Sequence, residues 1–308
     1  MASGAQTAAA AMTPARAESA AYLGLAAATV AWAIAFVVGK LVLGSMTPLA
    51  VAVWRYAVAG AILAPLALRD PTRRSLRACA LPLALMTVTG GILYPWLFLA
   101  ALARTSATNT SLLIALNPAF TVLLAPLVGE ALTRRRAIGL AIALAGAVLV
   151  ITRGDLGVVA RLGFASGDLM AVGGAAAWSI FNLSSRHVVG RLSPTVTNFT
   201  IYSLSGLALL AMSLPEAPLA QLAAAPPTAW VGIGVMAVLS SVIAGQLFLT
   251  GVRAVGVSRA VIFVYFVPVL TAALASVSLG ERFGASQALG GVAVLIGVGL
   301  ASRADDRP

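Results

Sequence analysis

Residues 32–60, WAIAFVVGKLVLGSMTPLAVAVWRYAVAG, and residues 178–206, WSIFNLSSRHVVGRLSPTVTNFTIYSLSG, align without a gap. Trp32/Trp178, Ile34/Ile180, Lys40/Arg186, Gly44/Gly190, Pro48/Pro194, Tyr56/Tyr202 and Gly60/Gly206 all pair at an offset of 146. Further on, LNPAFTVLLAPLVGE (116–130) matches YFVPVLTAALASVSLGE (265–281), with Pro118 over Pro268 and, after one inserted residue, Glu130 over Glu281. The chain is a duplication, and each copy has to be read as a unit.

The solvent of that unit follows from composition. The 308 residues are 60% hydrophobic and 9% charged, with mean hydropathy +1.00, where soluble domains are roughly 25% charged. A membrane-crossing helix needs about 20 mostly apolar residues. Apolar runs separated by charge, proline and glycine predict helices over 21–43, 48–68, 78–102, 107–128 and 137–152, then 167–189, 197–214, 229–251, 258–279 and 285–301. The fold class is all-α integral membrane: ten transmembrane helices in two five-helix repeats, residues 21–152 and 167–302. A loop (153–166) connects them, a disordered tail (1–20) precedes them and a short tail (303–308) follows. The runs are dense in Ala and Gly, which let helix backbones approach closely in lipid.

Five is odd, so the second repeat must enter the membrane from the opposite side, and the charges agree. Loops after helices two and four hold seven Arg (69, 73, 74, 77, 134, 135, 136), and their second-half counterparts hold only Arg282. The gaps after helices one and three hold Lys40 and Arg104, whereas their counterparts hold Arg186, Arg191, Arg253 and Arg259. Fourteen of the twenty Lys and Arg fall on the side of both termini, which the positive-inside rule makes cytoplasmic. A bacterial plasma (inner) membrane is the expected location.

Several function classes drop out. The net charge of +11 is scattered rather than gathered into a stripe, so no nucleic-acid partner is expected. The single cysteine, Cys79, excludes an intramolecular disulfide and a CxxC metal site. There is no HExxH, GxSxG or P-loop and no paired mid-span carboxylates, so neither catalysis, a metal, a cofactor nor ATP-driven pumping is expected. Asp168 and the lone His187 lie near helix ends, which gives no intramembrane proton relay. No cleavable signal peptide precedes Ala21. The oligomeric state is not legible. Inverted repeats are the construction of many secondary transporters, since exchanging the conformations of the halves opens one site to either face. A scaffold that moves nothing, or a channel, is the alternative.

The chain resembles the drug/metabolite transporter superfamily, particularly its EamA-type members. The resemblance is carried by 96–133 with its Pro-containing helix and GE ending, the Gly-rich GLAIALAGAVLV (139–150), their copies 247–284 and LGGVAVLIGVGL (289–300), and Arg55 within helix two. It implies a central cavity formed by helices one to four and six to nine, with five and ten peripheral. It also implies a small-molecule substrate: metabolites exported, amino acids among them, or nucleotide-sugars and phosphates exchanged. Few fixed charges among aromatic and amide residues favour an amino-acid-like metabolite, with broad drug export second.

Candidate residues follow from spacing. Trp32, Phe36 and Lys40 share a helix face at i, i+4, i+8, as do Trp178, Asn182 and Arg186. Lys40 and Arg186 either gate the two mouths or snorkel to headgroups. Arg55 is costly inside a span, so it faces the interior, against substrate or against a structural partner. Tyr94, Trp96 and Phe98 around Pro95, Gln246 in the eighth helix, Asn109 and Asn117 in the fourth and Tyr265 in the ninth are further cavity candidates. Pro118 and Pro268 are candidate hinges because proline removes a backbone donor. Glu130 and Glu281, each near arginine, read as structural ion pairs at helix ends.

Overall fold

The computed structural model describes residues 14–124, 126, 133–155, 165–282 and 284–302. Ten long helical runs fill it. They are α1 (Pro14–Val42), α2 (Pro48–Arg69), α3 (Arg77–Arg104), α4 (Ala107–Ile114 and Asn117–Leu124) and α5 (Arg134–Thr152) in the first half. In the second half they are α6 (Ser166–Ser185), α7 (Pro194–Ser213), α8 (Pro227–Val255), α9 (Val257–Val264 and Val267–Ser278) and α10 (Ala285–Ser302). Seven are long and apolar enough to cross a membrane on those grounds alone, and the second piece of α9 and α10 are shorter apolar helices. The ends are set by local chemistry. Thr47, Ser106, Thr133 and Ser193 each accept a backbone N–H of the following turn, and Pro48, Pro194 and Pro227 stand in the first turn, where the missing donor costs nothing.

Packing obeys a pseudo-two-fold axis. α1 packs on α8 and α3 on α6, while α2 packs on α7, α4 on α9 and α5 on α10. Exchanging the halves carries the first two pairs into each other and each remaining pair into itself. That is the symmetry of inverted repeats.

Three local departures from regular helix matter. α3 and α8 each contain a π-helical stretch, Thr87–Leu93 and Met236–Ile243, at equivalent places in the two repeats. Such widened turns cluster at functional sites. α4 breaks at Ala115–Leu116, just ahead of Pro118. Pro118 has no N–H for the Ile114 carbonyl, and the Asn117 side chain supplies one instead, Nδ2 donating at 3.2 Å. α9 breaks at Tyr265–Phe266, just ahead of Pro268.

Candidate substrate cavity

Between the halves lies a cavity lined by residues of both repeats. Its walls come from α1, α2, α3, α4, α6, α7, α8 and α9; α5 and α10 contribute nothing.

Trp32, Phe36, Arg55, Tyr94, Phe98, Asn117 and Trp178 line it. Pro268 does too, beside the α9 break. Trp96 does not: two residues from Tyr94 and from Phe98, it points away from the face those two share. Asn182 is buried behind the wall, its Nδ2 donating to Asn117 Oδ1 at 3.4 Å. Gln246 donates to Thr195 Oγ1 (3.1 Å), tying α8 to α7, and Asn109 Oδ1 accepts from Gln287 Nε2 (2.8 Å), tying α4 to α10. Tyr265 is buried at the α9 break, off the cavity wall. Phe248, the eighth-helix equivalent of Phe98, is on the wall as its position in the repeat predicts, whereas spacing had overlooked Tyr56, Phe181, Asn198 and Tyr202, also on the wall. The repeat alignment held a signal for two of them, since Tyr56 and Tyr202 are equivalent residues.

Aromatic rings make most of the wall, and two pairs sit on the symmetry axis. Trp32 meets its equivalent Trp178 edge-on with centroids 6.4 Å apart, and Tyr56 stacks on its equivalent Tyr202 at 4.7 Å. Trp178 also stacks on Phe181 and leans on Tyr94, and Trp32 packs on Phe248. Trp32 Nε1 donates to Ser240 O in the π-helical stretch of α8 (3.3 Å). Rings held in this way present rigid faces at little entropic cost.

Among the described residues one fixed charge lines the cavity, Arg55, 7% exposed. Its Nε donates to Ser241 Oγ at 2.7 Å, and the guanidinium lies 5.3 Å from the centre of the Tyr56 ring. The α8 widened turn places Ser241 there, and Tyr202 OH donates to the Ser241 carbonyl at 2.9 Å. In the other half Ile201 replaces Arg55 and Gly91 replaces Ser241. A Cβ on Gly91 would stand 2.9 Å from Ile201 Cγ2 and within 2 Å of Ser205 Oγ, so the α3 turn is pressed against α7 where the α8 turn makes room for a guanidinium.

The helix ends are bolted. Lys40 Nζ donates to Leu102 O (2.6 Å) and Thr105 O (2.8 Å), satisfying the last carbonyls of α3. Its counterpart Arg186 is exposed, with Nε donating to Leu183 O of its own helix at 3.4 Å. The ion-pair expectation for Glu281 takes a different form: its carboxylate accepts from Ala107 N, Thr108 N and Thr108 Oγ1 at 2.7–3.0 Å, capping the start of α4. A carboxylate is at home there because the helix N-terminus carries partial positive charge. Glu130 lies outside the described residues.

Comparison with known proteins settles the lineage. The EamA-like transporter family model matches residues 19–152 and again 165–303. The chain belongs to this family. It is 28% identical over 270 residues to "Uncharacterized transporter YyaM" of Bacillus subtilis (strain 168), covering 87% of this chain and 88% of that one. It is 27% identical over 282 residues to an "Uncharacterized transporter" of Archaeoglobus fulgidus, covering 91% and 96%. A solved crystal structure superposes with a TM-score of 0.59 at 20% identity over 92% of this chain and 96% of that one, which shows a shared fold. This EamA-type protein is therefore a multi-pass membrane protein of the drug/metabolite transporter superfamily.

Proposed function

We propose that this protein is a secondary transporter that exports small amino-acid-like metabolites from the cytoplasm by alternating access, each repeat framing one mouth of the central cavity. The observation that carries this reading is the cavity itself: an aromatic chamber on the pseudo-two-fold axis, walled by eight helices from both halves and holding, among the described residues, one fixed charge. A ring-lined chamber suits a small amphiphilic metabolite, and a single lining cation suits a polyanion poorly. The charge bias between loops supports cytoplasmic termini in a plasma membrane, with residues 21–152 and 167–302 as the two moving units.

The test is counterflow of a labelled amino-acid panel in proteoliposomes. Unlabelled substrate loaded inside should accelerate uptake several-fold over empty vesicles, at a rate that saturates with concentration. Transport of cationic dyes with no response to any amino acid would transfer the assignment to broad drug export. Ohmic conductance without counterflow would make the protein a channel.

A further inference from the structure

The cavity wall departs from two-fold symmetry at several positions, and at one of them the difference puts a fixed charge on one side only. Arg55 and Ser241 on one side face Ile201 and Gly91 on the other. With Nε taken up by Ser241, the two terminal nitrogens of Arg55 make no hydrogen bond among the described residues. A second donor lines the same cavity one helical turn further along α8, against Gly245. Asn198, from α7, is 4% exposed and lines the cavity, and its Nδ2 has no partner. A Cβ built on Gly245 would stand 3.2 Å from Asn198 Nδ2 and 2.7 Å from the Tyr202 hydroxyl, the hydroxyl that bonds Ser241 O. A buried donor left unsatisfied costs about 1–3 kcal/mol, so Asn198 Nδ2 and the guanidinium end of Arg55, both on the cavity wall and without an acceptor among the described residues, describe a site for an anion.

The charge count selects the anion. One guanidinium with a free pair of parallel N–H groups matches the two oxygens of a carboxylate. A phosphate dianion would leave a net negative charge in a chamber lined by rings. Among the described residues no Asp or Glu lines the cavity, so an ammonium group would meet aromatic faces, hydroxyls and amide oxygens but no opposite charge. Resting on the transport reading above, we propose that Arg55 and Asn198, set along α8 at Ser241 and Gly245, form an anion pole that binds the carboxylate of a monoanionic acid with an apolar or aromatic body. The carboxylate is the required group and the amine is dispensable. The body lies against the ring wall of Trp32, Trp178, Phe181 and Tyr94.

Three probes separate the groups: L-phenylalanine, 3-phenylpropionate, which keeps the carboxylate and lacks the amine, and L-phenylalaninamide, which keeps the amine and lacks the carboxylate. Binding to the purified full-length protein in detergent is read from quenching of tryptophan fluorescence, since Trp32 and Trp178 are on the wall. Both acids are expected to bind with similar affinity and the amide at least about tenfold more weakly, the loss of a charge-assisted pair. Arg55→Gln should weaken both acids by about tenfold or more and erase the discrimination. Asn198→Asp, which sets a carboxylate beside the guanidinium, should reverse the preference toward the amide while the protein elutes as a single species. Amide binding as tight as the acids in the wild type overturns the pole. So does failure of both acids to bind, or wild-type affinity in a well-folded Arg55→Gln protein. Counterflow then distinguishes the two readings: acid-selective binding with no counterflow keeps the pole and removes the transporter, and counterflow indifferent to the carboxylate does the reverse.

Discussion

Asp70 and Glu216 are equivalent residues, 146 positions apart, and they do the same job at opposite ends of the α2/α7 pair. Asp70, just past α2, accepts from the hydroxyl of Ser193, the cap of α7, at 2.5 Å, and from Thr72 N and Oγ1 at 2.8 and 2.7 Å. Glu216, just past α7, accepts from the hydroxyl of Thr47, the cap of α2, at 2.6 Å. The bond from Ser193, then those from Thr72, hold the Asp70 carboxyl below its ordinary pKa. Its stabilising contribution is therefore complete above the unfolded-state value of about 3.9 and is lost as pH falls through the lowered one. Spin labels at positions 73 and 191 should report one narrow distance from neutral pH down to about 4, broadening only below that. Asp70→Ala should be broad throughout, and a transition near pH 6, or a narrow distribution in the variant, would refute the latch. The sequence alone singles out none of Asp70, Ser193, Glu216 and Thr47. A hydroxyl that caps its own helix gives no sign that a carboxylate from the other repeat also claims it. Glu281 is the same case, legible as structural but not as the cap of α4.

Helices five and ten show what an element can disclose before its structure is known. Their Gly-rich runs predict close packing in lipid, and in the structure a Cβ on Gly146 would stand 2.6 Å from Gly290 O, while one on Gly297 would stand within 2.5 Å of Ala143 N. Backbone meets backbone there, with nothing flexible to yield. Gly297→Val is expected to destabilise the protein by about 1–3 kcal/mol through overpacking, lowering its melting temperature in detergent, while acid binding at permissive temperature stays near wild type because neither helix lines the cavity. A parallel collapse of binding would show that the α5/α10 pair shapes the chamber. The widened turns of α3 and α8 were invisible by contrast. Periodicity counts apolar residues, and one extra residue per turn shifts which side chains face inward without changing that count. Missing Ser240 and Ser241 beside the cavity is a result of that blind spot, whereas assigning Trp96 to the cavity ignored ordinary helical spacing, which turns it away from the face of Tyr94 and Phe98.

Across the whole molecule the inverted architecture was legible because it follows from arithmetic: an odd number of spans, a gap-free internal alignment and a reversed charge bias. The conformation was not, because two-fold related sequences say nothing about which mouth is shut. The structure breaks the symmetry at Lys40, which ties the ends of α1 and α3 through two carbonyls. On the same face Glu281 caps α4, whereas the Thr47–Glu216 bond there is matched by Ser193–Asp70 at the opposite face and favours neither mouth. On the alternating-access reading proposed above, the Lys40 and Glu281 bonds join helices that separate when the cavity opens at that face, so they favour a closed mouth beside Lys40. Charge-assisted hydrogen bonds are worth about 1.5–3 kcal/mol each, enough in principle to bias a two-state equilibrium tenfold or more. A reporter thiol at Ser111, on the cavity wall, in a Cys79→Ala background would read the bias. Membrane-impermeant maleimide added on the Lys40 side should label it slowly, and Lys40→Met should raise that rate roughly tenfold while lowering the rate from the opposite side. Lys40→Arg should stay close to wild type, since a guanidinium can reach the same carbonyls. Equal labelling from both sides in every variant would mean that Lys40 only finishes the end of α3 and that the closing bonds lie elsewhere on that face.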